Sequence, residues 1–157
     1  MYLALTLIIV LCGMVIQTSV LPLLNLAIHP DLLLVVVVYL GLRKGPEIGC
    51  LSGFAFGLMG DAMSEMAFGA NALAKTLVGF FCGWAGKRLY THSIITHILC
   101  VGLSTLIAES VLLSLHGFQE NWKDILLYES LYNMICCPFI AGIFRFAERR
   151  IGTKSSR

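Results

Sequence analysis

Seven polar or ionisable side chains interrupt otherwise apolar stretches of this 157-residue chain: Gln17, Asp31, Asp61, Asn71, Lys75, Glu109 and Glu129. Carboxylates and an ammonium in such surroundings can pair with one another, face a ligand or meet a partner. Other chemistry has little to work with. No serine has a histidine and an acid at suitable spacing, and His29, His92, His97 and His116 sit at the ends of apolar segments, not as a ligand set. Cys12, Cys50, Cys82, Cys100, Cys136 and Cys137 fall inside apolar segments without C-x-x-C spacing, where a thiol behaves as a small apolar group. Nothing resembles a phosphate loop. No catalytic, cofactor-binding or metal-binding residue is expected, and the basic C-terminal residues read as a topology signal or anionic-lipid contact and not as a nucleic-acid interface.

The elements that must position these groups follow from composition. Only 13% of residues are charged, 58% are apolar, and the mean hydropathy is +0.86. A water-soluble domain of this size needs far more polar surface, so the chain reads as an integral membrane protein. Its first apolar stretch starts at Tyr2 with no basic region before it, and is expected to remain as a spanning helix.

Apolar stretches bounded by breaks predict an all-α polytopic fold, a compact bundle of six transmembrane helices. The predicted spans run from about Leu3 to Leu21, His29 or Pro30 to Leu42, Pro46 to Met63, Gly69 to Leu89, Ser93 to Leu115 and Trp122 to Phe146. Residues 1–147 form one domain, and residues 148–157 a short basic tail. Arg43, Lys44, Lys87, Arg88, Arg145, Arg149, Arg150, Lys154 and Arg157 are nine of the eleven basic residues and fall on one side of these spans. The positive-inside rule puts that side, with both termini, in the cytoplasm. The connections around 22–28, 64–68 and 117–123 then face outward.

The stretch "HPDLLLVVVVYLGLRKG" poses a specific problem. From Leu32 to Leu42 its apolar run spans roughly 17 Å of helix, too short for a hydrocarbon core about 30 Å thick. Pro30 suits a first helical turn, and Asp31 suits a helix N-terminus, where free N–H groups favour an anion. The preceding "LPLLNLAI" is expected to lie along the membrane surface and make up the length. Asp61 ends the third helix at the same level. Asn71 and Lys75 share a face of the fourth, with Lys75 about 9 Å below its start. Glu109, Glu129 and Gln17 lie at comparable depth. A charge there costs a few kcal/mol or more unless paired inside the bundle, so Lys75 is expected to be neutralised by Asp61, Glu109 or Glu129. This layer serves either as a pocket or as a lock between helices.

Glycines form ladders: Gly49, Gly53 and Gly57 with Gly60 on the third helix, Gly79, Gly83 and Gly86 on the fourth, and Gly41 and Gly45 at the second. Such strips let helix backbones approach where lipid supplies no hydrophobic drive; internal packing is the expected use, and a groove for docking a partner is the alternative.

At "HPDLLLVVVVYLGLRKG" followed by "GCLSGFAFGLMGDAMSEMAFGANALAKTLVGF", the chain resembles the rod shape-determining protein MreD family. The likeness is a Pro-Asp helix start, a short basic turn, a Gly-rich "SGFAFGLMGD", and an outer loop leading to "GANALAKTLVGF"; length, helix count and Gln17 agree with it. The resemblance implies a non-enzymatic inner-membrane subunit of the cell-wall elongation machinery, without cofactors. Its implied partners are the bitopic protein MreC and, through it, the RodA glycosyltransferase and a class B penicillin-binding transpeptidase, with RodZ and MreB in the same assembly. The implied fold is similar to that of the substrate-binding subunits of energy-coupling-factor transporters. A vitamin- or metabolite-binding subunit of that transporter type is therefore the alternative reading. Those subunits carry A-x-x-x-A spacing on helix one, which "LALTLIIVLCGMVIQTS" lacks.

Overall fold

The computed structural model describes residues 2–15, 17, 19, 29–62, 69–89, 93–116 and 122–151. Six helices are described among them: α1 (Tyr2–Val15), α2 (Leu32–Lys44), α3 (Pro46–Asp61), α4 (Ala70–Gly86), α5 (Ile94–His116) and α6 (Trp122–Ile151). No strand occurs among the described residues. The stretch "LPLLNLAI" expected along the membrane surface, residues 64–68 and 117–121 of the connections expected to face outward, and His92 lie outside the described residues.

The short apolar run resolves the length problem in an unexpected way. α2 is apolar on every face, and a helix of that kind belongs in a core. Residues Leu33 to Leu42 are all buried, and α2 touches each of the other five helices. A run of ten to fourteen apolar residues is more often a sheathed helix than a lipid-facing span. The four valines Val35 to Val38 would weaken an exposed helix through their stiff side chains. Here Val35, Val37 and Val38 are fully enclosed, and packing outweighs propensity.

Helix length also separates the elements. Ile94–Leu115 and Trp122–Phe146 are the two segments among the described residues long and apolar enough to cross a bilayer by themselves. With 13, 16 and 17 residues, α2, α3 and α4 fall short of the about 20 that a perpendicular span needs. The expectation of six spanning helices is therefore met by six helices, of which two have a span's length and hydropathy among the described residues. In the opposite direction, α6 continues past the predicted end at Phe146 to Ile151, and through Pro138. Its 30 residues correspond to about 45 Å.

Two chain reversals depend on glycine. Gly45, between α2 and α3, has φ 97°, and Gly69, before α4, has φ 100°; a Cβ disfavours both. These reversals set α2, α3 and α4 side by side, and the glycine ladders are used there. A Cβ on Gly49 or on Gly79 would overlap the carbonyl of the other, one on Gly53 the carbonyl of Lys75, one on Gly57 the Cα of Ala72, and one on Gly83 the backbone of Pro46. Backbone-to-backbone contact of this closeness admits no side chain. These ladders thus hold the bundle together and leave no strip for a partner at those positions.

The exterior is apolar. Leu51, Ile95, Leu103, Ile135, Phe139 and Phe146 are each more than 60% exposed. Charge is concentrated inside or at helix ends, the reverse of a soluble protein.

Candidate functional site

Asp31 is placed by the sequence around it. Pro30 cannot donate a backbone hydrogen bond, and Asp31 follows as the cap of α2, with Oδ1 accepting from the Leu34 N–H at 3.0 Å. Its second carboxylate oxygen, Oδ2, receives the Lys75 ammonium at 2.6 Å. Lys75 also donates to Asn71 Oδ1, one turn back on α4, at 2.9 Å. The Asp31 backbone N–H donates to Asn133 Oδ1 of α6 at 2.8 Å. Asn133 Nδ2 donates to Thr105 Oγ1 of α5 at 3.1 Å, and Thr105 donates to the Val101 carbonyl. One connected set of bonds therefore joins α2, α4, α5 and α6.

The burial is extreme for such groups: Lys75 is 3% exposed, and Asn133 and Thr105 are wholly enclosed. An ammonium in this setting is tolerated because a carboxylate and an amide oxygen replace its water. Glu109 and Glu129 are half-buried and stand within electrostatic range of both Asp31 and Lys75. Among the described residues, neither is in ion-pair contact with Lys75.

The expected partner of Lys75 is thus corrected. It is Asp31, and not Asp61, Glu109 or Glu129. Asp61 is oriented to a different task. Its Oδ2 accepts the backbone N–H groups of Gly69 and Ala72 at 3.0 Å, and its Oδ1 accepts that of Asn71 at 2.9 Å. A carboxylate at the head of a helix satisfies donors that have no intrahelical partner and lies favourably in the dipole. Asp61 thereby locks the end of α3 to the start of α4 while itself 2% exposed. Gln17, beyond α1, is half-buried, and its side-chain oxygen meets no donor among the described residues.

The structure gathers Asp31, Asn71 and Lys75, brings Glu109 and Glu129 within electrostatic range, and shows no bond from the Gln17 side-chain oxygen to them among the described residues. Sequence reasoning missed Asn133 and Thr105. A signal existed: Glu129 and Asn133 are one turn apart on α6, as are Thr105 and Glu109 on α5, so each helix carries one polar stripe.

Elsewhere the polar interior is local. His97 lies beside the Tyr39 ring, which stacks on Phe144 at 4.8 Å, and its Nδ1 is 2.9 Å from the Ser93 carbonyl. Cys82 Sγ lies 3.1 Å from Ser104 Oγ, and all six cysteines are free. Among the described residues no three His, Cys, Asp or Glu side chains converge as a metal site. An apolar cleft of about 310 Å³ opens between α1, α2 and α6, lined by residues such as Val10, Leu33 and Ile140.

An apolar exterior around an interior ion pair defines an all-helical protein of membrane type. The sequence over residues 1–147 matches the family described as rod shape-determining protein MreD, and the chain belongs to that family. Its role accordingly falls within rod-shape determination. No curated protein matches the chain. No solved structure matches it either, so the expected likeness to energy-coupling-factor subunits finds no support.

Proposed function

We propose that this chain is a non-enzymatic scaffold of the peptidoglycan-elongation machinery in the bacterial inner membrane. In this reading all six helices lie within the membrane, with both termini cytoplasmic. It docks the transmembrane helix of an MreC-like bitopic protein and through it supports a RodA-type glycosyltransferase and a class B penicillin-binding transpeptidase, alongside RodZ and MreB.

The observation that supports this reading is that the ion pair of the polar layer, Asp31 with Lys75, is engaged within the bundle. Asp31 and Lys75 bind each other, Lys75 donates a second bond to Asn71, the other Asp31 oxygen accepts from the Leu34 N–H, and the Asp31 backbone N–H donates to Asn133. A substrate-binding subunit of a transporter would need those groups turned toward a cavity. What the molecule offers to others is an apolar surface, and an apolar partner helix is complementary to it. Glu109 and Glu129 remain as candidate residues for partner or ligand contact in the same layer.

The test is purification of a tagged copy from native membranes in mild detergent, with mass spectrometry of what accompanies it. Recovery of an MreC-like bitopic protein is expected. Recovery instead of two ATPases and a small membrane coupling protein would overturn the scaffold reading in favour of transport.

A further inference from the structure

Two basic turns that are far apart in the chain are brought to one place. Arg43 and Lys44 end α2, and Lys87 and Arg88 follow α4. A Cβ on Gly86 would lie 2.5 Å from the Leu42 carbonyl oxygen and 2.9 Å from its Cα. The backbones of the two helices therefore touch one residue before each basic pair. Gly83 makes a similar contact with Gly45 and Pro46, which brings in the first turn of α3 and its single acid, Glu47. Four cations against one carboxylate leave three net positive charges on these adjoining turns.

Basic residues gathered on adjoining turns make a positive surface that attracts anions. Lys44, Lys87 and Arg88 are exposed, and Arg43 is half-buried. The Arg88 guanidinium lies over the Trp84 ring at 4.6 Å, and Trp84 is itself 51% exposed. An exposed tryptophan carrying a cation marks the level of lipid headgroups. One turn further in, Phe80 and Phe81 are also exposed, at the depth where acyl chains would run.

We propose that Arg43, Lys44, Lys87 and Arg88 form one binding site for the phosphate of an anionic phospholipid headgroup. The acyl chains of that lipid lie along Trp84, Phe81 and Phe80. The site owes its existence to Gly86, because a side chain there would part the two basic turns.

Trp84 reports on the site. With Trp122→Phe it becomes the only tryptophan of the chain. The full chain in phosphatidylcholine bilayers is supplied with equal fractions of dibrominated phosphatidylglycerol or dibrominated phosphatidylcholine. The anionic quencher is expected to be preferred about fivefold, the factor one cation near an anionic surface supplies. Arg43→Gln with Lys44→Gln, across the helix contact from Trp84, lowers that preference by half or more, while Arg43→Lys with Arg88→Lys retains it. Salt at about 1 M, where screening acts within about 3 Å, removes most of it without any further substitution. Equal quenching by the two lipids, or a preference that survives both neutralisation and salt, overturns the proposal. So does inorganic phosphate that abolishes the preference where chloride of equal ionic strength does not, because the site would then serve a soluble anion.

Discussion

The carboxylate of Asp31 acts in two directions at once: one oxygen caps α2 and the other holds the Lys75 ammonium of α4 at 2.6 Å. Helix initiation and helix association are therefore the same event at this residue. The neighbouring Asn133 adds α6 to it through the Asp31 backbone N–H.

Removing one partner of this pair strands the other. Lys75→Met is expected to destabilise the protein by about 3–5 kcal/mol, as for other broken buried pairs. The double variant with Asp31→Asn keeps the cap and removes the orphaned charge, and recovers much of that loss. Thermal unfolding in detergent of the two single variants and the double variant measures the coupling. Strictly additive losses would show that the pair contributes nothing.

Asp61→Ala deprives three backbone N–H groups of their acceptor. A lost N-cap alone costs about 1 kcal/mol, and buried unsatisfied donors add to it. The expected loss is about 2 kcal/mol or more. Hydrogen exchange at the Asn71 and Ala72 amides is expected to accelerate before that at the middle of α4.

Asn133→Leu fills similar space but leaves the Asp31 N–H and Thr105 Oγ1 without their α6 partner. The cost expected for such orphaned groups is about 1–3 kcal/mol. Thr105→Val in the same background costs little more, because its bond to Asn133 is already lost. A melting temperature equal to that of the unsubstituted chain would count against the network.

Glycine substitutions divide sharply by position. Gly53→Ala forces the backbones of α3 and α4 apart, so the folded chain is expected to be lost or lowered strongly in melting temperature. Gly142→Ala meets nothing within 4 Å and gains up to about 1 kcal/mol from helix propensity. Comparable effects at the two sites would mean that α3 and α4 are not in backbone contact.

The sequence alone was enough for the membrane class, the number and approximate limits of the helices, and the use of glycines at helix contacts. These properties are local or compositional: hydropathy, 3.6-residue spacing, proline and glycine punctuation. It also showed that Lys75 needs a counter-charge, because burial without one is too costly whatever the fold. Which carboxylate answers that need was decided by tertiary structure. Asp61 and Asp31 both stand at helix ends and look alike in one dimension. Asp61 faces the N-terminus of α4 and is occupied by its amides, whereas Asp31 faces the side of α4 where Lys75 emerges. The role of α2 was decided in the same way. Its length excluded a simple lipid-facing span, but only the arrangement of the other five helices around it made it the centre of the bundle. The meeting of Arg43 and Lys44 with Lys87 and Arg88 likewise depends on Gly86 touching Leu42, a contact between residues remote in the chain whose closeness no local pattern encodes.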